Sequence, residues 1–422
     1  MTAAESSPAP GGASALVIAL AGLVSLAVAM GIGRFAFTPI LPLMLRDGVV
    51  DIAAASWLAS ANYFGYLAGA LFCTFQPWLA ARFSWLPAGA DAPRSIRAGL
   101  AATALLTLGM ALPLPAAWPL LRFGAGVASA VTLVHTTGWC FAQLAARGHS
   151  AIGGLVFAGP GAGIIASGVV ASGIVAAHGS AAIGWAVSAL LAAVFTALVW
   201  RVFGAAGEAW TATGNDARPA LAMPPESIHG RAELATLTLA YGLAGFGYIV
   251  TATFLPVIAR ATLPGTPWIE LFWPVFGIGA VIGAVLATRA APTTDRRYLL
   301  AGAYAMQAGG VAIGLVWPSL AGFAVGSFFA GLPFTTITFF ALQETRRLRP
   351  RHAASAIGLV TAVYGIGQVA GPPMVSVLVG RSTQAASGFN ASLVIATAVL
   401  LTGATIHLAM TKLWPMQPAI RR

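Results

Sequence analysis

Apolar stretches long enough to cross hydrocarbon recur along this chain, and that recurrence restricts the fold more than any other feature. Twelve can be drawn, at 14–45, 52–76, 96–114, 117–145, 151–177, 181–203, 233–259, 267–288, 298–316, 320–343, 353–380 and 388–411. A helix needs about 20 residues to span about 30 Å of hydrocarbon. Backbone N–H and C=O groups find no water there, so each segment has to satisfy its own hydrogen bonds as a helix. The polar skin of a soluble protein is missing: 8% of the 422 residues are charged, against about 25% in an ordinary soluble domain. The chain reads as an all-α membrane protein with twelve transmembrane helices. Its first segment outruns the apolar core of a signal peptide, about 7–15 residues, and no basic residue precedes it. A retained span is expected there.

Charge in the loops sets the orientation. Seventeen of the 22 Lys and Arg residues lie in the even-numbered loops and the C-terminal tail, and three, Arg46, Arg260 and Arg381, lie in the odd-numbered loops. The remaining two, Arg34 and Arg122, sit inside spans. The positive-inside rule then puts both termini in the cytoplasm. It also explains the net charge of +11 as topology, with no nucleic-acid partner. Cys73 and Cys140 both fall in apolar segments and read as small buried hydrophobes.

The chain divides into an N-terminal bundle, 1–203, a Gly- and Pro-rich cytoplasmic linker, 204–232, and a C-terminal bundle, 233–422. Internal repeats support the division. Gly31-Ile-Gly-Arg-Phe-Ala-Phe-Thr-Pro-Ile-Leu-Pro42 aligns with Gly245-Phe-Gly-Tyr-Ile-Val-Thr-Ala-Thr-Phe-Leu-Pro256 at an offset of 214. At the same offset Gly65 and Gly69 match Gly279 and Gly283, and Gly159-Pro160 matches Gly371-Pro372 at 212. Parallel six-helix repeats enclosing a site at their interface are one transporter plan. The glycine pairs are small-xxx-small faces for close helix contact. Pro39, Pro42, Pro160, Pro256 and Pro372 are expected to kink their helices at matching places in the two halves.

The stretch Gly31–Met44, followed by Trp57-Leu-Ala-Ser-Ala-Asn-Tyr-Phe-Gly-Tyr-Leu-Ala-Gly-Ala70, resembles the bacterial YbfB/YjiJ branch of the major facilitator superfamily, and the chain as a whole is similar to that superfamily. The resemblance implies two pseudo-symmetric six-helix bundles (the major facilitator fold) in a bacterial cytoplasmic membrane. It also implies a central cavity lined by spans 1, 2, 4, 5, 7, 8, 10 and 11, and alternating access by rocking of the bundles. The sequence departs from the superfamily after span 2. That loop carries Arg82 but no nearby aspartate, which leaves the usual cytoplasmic charge-relay latch without its acid. Gly159-Pro-Gly-Ala-Gly163 is a looser form of a motif seen in antiporters, and points weakly to exchange or efflux.

Arg34 is the principal candidate for chemistry. A guanidinium stays protonated, and at mid-membrane it costs roughly 2.5–3.5 kcal/mol on insertion scales. No Asp or Glu lies at mid-depth in any span. Arg34 therefore reads as holding an anionic group, with a structural plug against helix carbonyls as the alternative. Tyr248 is its repeat equivalent, and Tyr241 shares its helical face. Asn62 with Tyr66, and Tyr364 with Gln368, are pairs four residues apart; they either line the cavity or bond across helices. Thr38 joins the binding set, and Thr335, Thr336 and Thr338 are weaker candidates. Arg122 and His135 are candidates for proton coupling; otherwise Arg122 snorkels to the outer interface and His135 is a neutral residue bonded to a neighbouring helix. Gly159, Pro160, Gly371 and Pro372 are candidates for conformational change.

No nucleophile–base pair, Walker loop or metal cluster is visible in the sequence, so neither an enzyme nor a cofactor is expected. The leading expectation is a monomeric secondary active transporter that moves a small organic anion, carboxylate-like, by alternating access, with proton coupling or exchange. A proton-coupled efflux pump for amphipathic or drug-like compounds is the alternative. A sensor or scaffold without a transport cycle is a third reading, which saturable flux would exclude.

Overall fold

The computed structural model describes residues 13–83, 91–204, 230–291, 293–350 and 353–416. Residues 205–229, most of the expected linker, lie outside the described residues, as do 84–90 in the loop after the second span.

A helix stands at each of the twelve expected positions. These are α1 (Ala15–Arg46), α2 (Ile52–Arg82), α3 (Ala92–Gly109), α4 (Pro115–Ala146), α5 (Ile152–Ala176) and α6 (Ala181–Trp200), then α7 (Gly230–Thr262), α8 (Trp268–Ala287), α9 (Arg296–Val316), α10 (Leu320–Leu348), α11 (Ala353–Arg381) and α12 (Ala385–Leu413). Ten are long and apolar enough to cross a membrane; α2 and α3 are not among those ten. The helices start where short polar side chains can take the free N–H groups of the first turn. Asp51 accepts from the Ala54 N–H at 2.7 Å, and Ser14, Asp91, Ser180 and Ser319 cap α1, α3, α6 and α10 in the same way.

The two halves repeat one packing pattern. In the first half α2 packs on α4, α3 on α4 and α6, and α5 on α1. In the second half α8 packs on α10, α9 on α10 and α12, and α11 on α7. The halves meet through α2 with α11, α8 with α5, and the Phe37–Arg46 part of α1 with α7.

Glycine sets the closest approaches. A Cβ on Gly65 would lie 2.0 Å from the Phe123 carbonyl oxygen, and one on Gly283 would lie 1.7 Å from that of Leu332. The small-xxx-small faces of α2 and α8 thus bring α4 and α10 into backbone contact. The glycines around Pro160 serve the same purpose, because Gly163 packs on the Ala27 carbonyl and on Gly31 of α1. A Cβ on Gly31 would sit 2.3 Å from the Gly163 Cα. Both neighbours are backbone, which cannot swing aside, so Gly31→Ala has to part α1 from α5. An overpacking cost of about 1–3 kcal/mol is expected, read as a fall of several degrees in the melting midpoint; an unchanged midpoint would refute the contact.

The expected symmetry of kinks does not hold. In α7 the helix runs through Pro256 without a break, whereas α1 changes to π-helix over Ala27–Ile32 and to turns over 33–36, just before Pro39. Pro39 has no N–H to give to residue 35, and its ring crowds that carbonyl. The Thr38 N–H turns instead to the Phe35 carbonyl at 3.2 Å. The carbonyls of Gly33 and Arg34 are left for other donors, and Arg34 leaves the helix at that break.

Candidate functional site

A cavity of about 590 Å³ lies between the halves. It runs from Arg34, Tyr66 and Tyr248 at mid-depth down to Leu342, Ile357 and Arg346, at the end of the bundle where α1 begins and α12 ends. On the opposite side the halves are joined. The Thr38 hydroxyl donates to the Ala252 carbonyl, Tyr63 and Thr253 share a hydroxyl–hydroxyl bond of 2.9 Å, and Ser60 donates to the Val369 carbonyl at 3.1 Å. Phe35 closes the top of the cavity by packing across the interface on Phe334 and Trp273, with ring centroids 5.6 and 6.2 Å apart.

Arg34 is 1% exposed and still lines the cavity. Its Nη2 donates to Gln368 Oε1 at 3.1 Å, Nη1 approaches Met30 Sδ at 3.9 Å, and the buried Nε has no partner. The guanidinium lies 4.0 Å from the Tyr66 ring centroid and 5.3 Å from those of Phe35 and Tyr63. A desolvated cation–π contact of this kind is worth about 2 kcal/mol or more, which offsets only part of the several kcal/mol that burial of an ion costs. Among the described residues no carboxylate pairs with it. The buried acids are bound elsewhere: Glu270 to Arg260, Glu233 to Arg297 and Arg347, and Glu344 to Arg347.

The two repeat-equivalent residues converge on one amide. Gln368 accepts from Arg34 and donates to the Tyr248 hydroxyl, so α1, α7 and α11 meet at a single side chain. Three tyrosines continue the wall on the second-half side. Tyr241 stacks on Tyr364 with centroids 4.4 Å apart and planes 21° apart, and Tyr248 stacks on Tyr364 at 5.8 Å and 14°. Phe141, Phe157, Phe334 and Pro160 complete the apolar lining, and Thr335 and Thr338 contribute short polar side chains.

Several expected contacts fall elsewhere. Asn62 is fully buried between α2 and α4, where its amide donates to the Arg122 carbonyl at 2.9 Å; it bonds across helices and is not part of the wall. Gln368 stands behind Arg34, and Thr38 ties the halves together on the closed side. His135 is absent from the lining although Val134, Thr137 and Gly138 belong to it, so its ring points away from the cavity. Arg122 does not snorkel outward. It is 2% exposed, donates to the carbonyls of Gly33 and Arg34 at 3.1 Å each, and lies against Phe37 and Trp185. It fills the gap that the break in α1 leaves. Gly371 packs on Ile249, and Gly159 on the Leu23 carbonyl.

In the sequence Arg346 counts only as a loop charge, yet it stands at the cavity mouth and also borders a neighbouring cavity of about 420 Å³ between α4, α5, α8 and α10. The aromatic ceiling has no signal in the sequence beyond composition. The main ionic cluster of the second half, Glu233, Asp295, Arg297, Glu344 and Arg347, ties α7, α9 and α10 to one another and does not bridge the halves.

The comparisons with known proteins agree with this architecture. A family model described as "Uncharacterised MFS-type transporter YbfB" matches residues 26–408. No curated protein matches the sequence. Among solved structures, the crystal structure of the nucleoside transporter NupG superposes with a TM-score of 0.66 at 16% identity, over 94% of this chain and 99% of that one. A point mutant of the same transporter gives 0.65 at 15%, with the same coverage. At such identities the likeness shows the fold alone. With the family match spanning nearly the whole chain, the protein is a secondary transporter of the major facilitator superfamily and belongs to its YbfB-type family.

Proposed function

We propose that the protein moves a small organic anion, carboxylate-like, across the bacterial cytoplasmic membrane, with both termini in the cytoplasm. The observation that carries this reading is the state of Arg34: a buried guanidinium facing the cavity, with an unpartnered Nε and only a neutral amide to receive its one short hydrogen bond. A carboxylate can take two parallel N–H bonds from such a fork. It would also neutralise the charge whose burial is otherwise uncompensated.

In this reading the conformation described here is open to the cytoplasm, and the Thr38–Ala252, Tyr63–Thr253 and Ser60–Val369 bonds close the outer side. An anion on Arg34 competes with Gln368 for the same donors, so binding loosens one of the links between the halves. Rocking about the interfaces of α2 with α11 and α5 with α8 then exchanges the open side. The efflux reading for amphipathic compounds draws support from the aromatic wall, but lipophilic cations would meet Arg34 with no acid to offset it.

A thermal-shift screen on the purified protein tests the proposal with organic carboxylates, uridine, neutral sugars and lipophilic cations. At about 100 times its dissociation constant a ligand stabilises by about 2.7 kcal/mol, so carboxylates are expected to raise the midpoint of the wild type by several degrees. Stabilisation by lipophilic cations alone would reverse the assignment.

A further inference from the structure

We infer that the cargo is an aryl-bearing monocarboxylate: a single carboxylate attached to a flat, largely unsubstituted aromatic body. This rests on the anion reading and narrows it.

Charge comes first. Among the described residues Arg34 is the one cation deep in the wall of the main cavity, and the other cation of that wall, Arg346, is at the mouth. Arg346 is twelve residues beyond Phe334 on α10, and Phe334 packs on Tyr248 beside Arg34. Twelve residues of helix rise about 18 Å. A small dianion cannot reach both cations, so the deep site is built for one negative charge.

Shape is the second argument. The wall next to Arg34 presents three nearly parallel tyrosine rings, with Tyr66 and Phe334 adjoining. Aromatic groups pack on such faces and edges at centroid distances of about 4.5–7 Å. A flat ring joined to a carboxylate on Arg34 can continue the stack down the cavity.

The third argument is the supply of hydrogen bonds. Part of the hydrogen-bonding capacity around the cavity is already used within the protein. Tyr241 donates to Thr338, Gln368 donates to Tyr248, Thr335 donates to the Ala280 carbonyl, and Thr137 donates to the Leu133 carbonyl. A polyhydroxylated ligand such as a ribose or a hexose would have to share what is left among many hydroxyls, and each one buried without a partner carries the full penalty of desolvation. An aryl body brings none.

The test measures binding to the purified full-length protein by titration calorimetry. The probes are 3-phenylpropionate and cinnamate, compared with 3-cyclohexylpropionate, hexanoate, succinate and uridine, on the wild type, Arg34→Ala and Tyr364→Leu. The aryl carboxylates are expected to bind at least fivefold tighter than the saturated ones, and Arg34→Ala is expected to weaken them at least thirtyfold. Tyr364→Leu is expected to narrow the aryl advantage to less than twofold. Should that variant fail to fold, the ligand series on the wild type decides alone. Equal, Arg34-dependent binding of saturated and aryl carboxylates would overturn the aryl inference and leave the anion reading standing. So would tighter binding of succinate that depends on Arg34. If no carboxylate binds, if uridine binds tighter than every carboxylate, or if Arg34→Ala changes nothing, both fall.

Discussion

Replacing Arg34 by alanine is expected to abolish carboxylate transport while leaving the ligand-free protein at least as stable as the wild type. The two effects have one cause. In the empty protein the guanidinium is a buried ion with a single short hydrogen bond to a neutral amide and no carboxylate partner, so removing it also removes a desolvation cost. With an anion bound it is, among the described residues, the only counter-charge in the depth of the cavity. Truncating one member of a buried, hydrogen-bonded charge pair costs about 2–5 kcal/mol, or roughly 30- to 5,000-fold in affinity. Arg34→Lys keeps the charge but loses the planar fork, and is expected to recover less than a tenth of wild-type uptake. Proteoliposome uptake and a melting curve on the same preparations provide both readouts. Normal transport by Arg34→Ala would refute the site. Loss of transport accompanied by a collapse of the melting midpoint would mean that the arginine is a structural plug.

The opposite pattern is expected for Arg297. This side chain is fully buried and well partnered. It donates to Asp295 at 2.8 and 3.0 Å, to Glu233 at 3.0 Å, and to the Met410 and Trp414 carbonyls at 3.1 and 2.7 Å. Part burial alone would raise the Asp295 carboxyl, but the hydrogen bonds and charge of Arg297 hold it below the usual range. Arg297→Met leaves Glu233 with Arg347 as its one ion-pair partner, takes the ion pair from Asp295, and removes the bonds that tie the end of α12 to α9. Breaking a buried ion pair from one side costs about 3–5 kcal/mol, which corresponds to a fall on the order of 10 °C in the melting midpoint. None of the five residues of the cluster lines the cavity, so surviving protein is expected to bind carboxylates with unchanged affinity. Adding Glu233→Gln is expected to restore part of the stability, because a buried carboxylate that has lost one of its two arginines is then neutral. An unaltered midpoint in the single variant would show that the cluster holds nothing together.

The two contrasting arginines show which parts of the molecule can be read from the sequence. Hydropathy is local and additive, so the apolar segments and the short loops between them follow from composition along the chain. The repeat at an offset of 214 pairs Arg34 with Tyr248 without any geometry, and the fold brings both to Gln368. Glu233, which pairs with both Arg297 and Arg347, lies 64 and 114 residues from them in the chain, so that pairing follows only from packing. The roles of Asn62, Thr38 and Arg122 depend in the same way on distant backbone. Asn62 and Arg122 are connected through carbonyls, and two of those carbonyls are available only because α1 unwinds before Pro39. Nothing in the spacing of Asn62 and Tyr66 distinguishes an amide that meets cargo from one that meets a neighbouring helix. His135 illustrates the same limit: its depth is legible, but the direction of its ring depends on the rotation of α4.

The shared amide has a kinetic consequence. Gln368 belongs to one half and Arg34 to the other, so an empty carrier that reverses its open side has to give up that bond with nothing to replace it. The guanidinium is then stranded in hydrocarbon at the top of the barrier. Under the proposed anion reading a loaded carrier crosses with the charge already compensated. The return of the empty form is then expected to be the slow limb of the cycle, and cargo supplied on the far side is expected to speed the departure of labelled cargo from the near side. Such trans-stimulation would follow from the position of one glutamine.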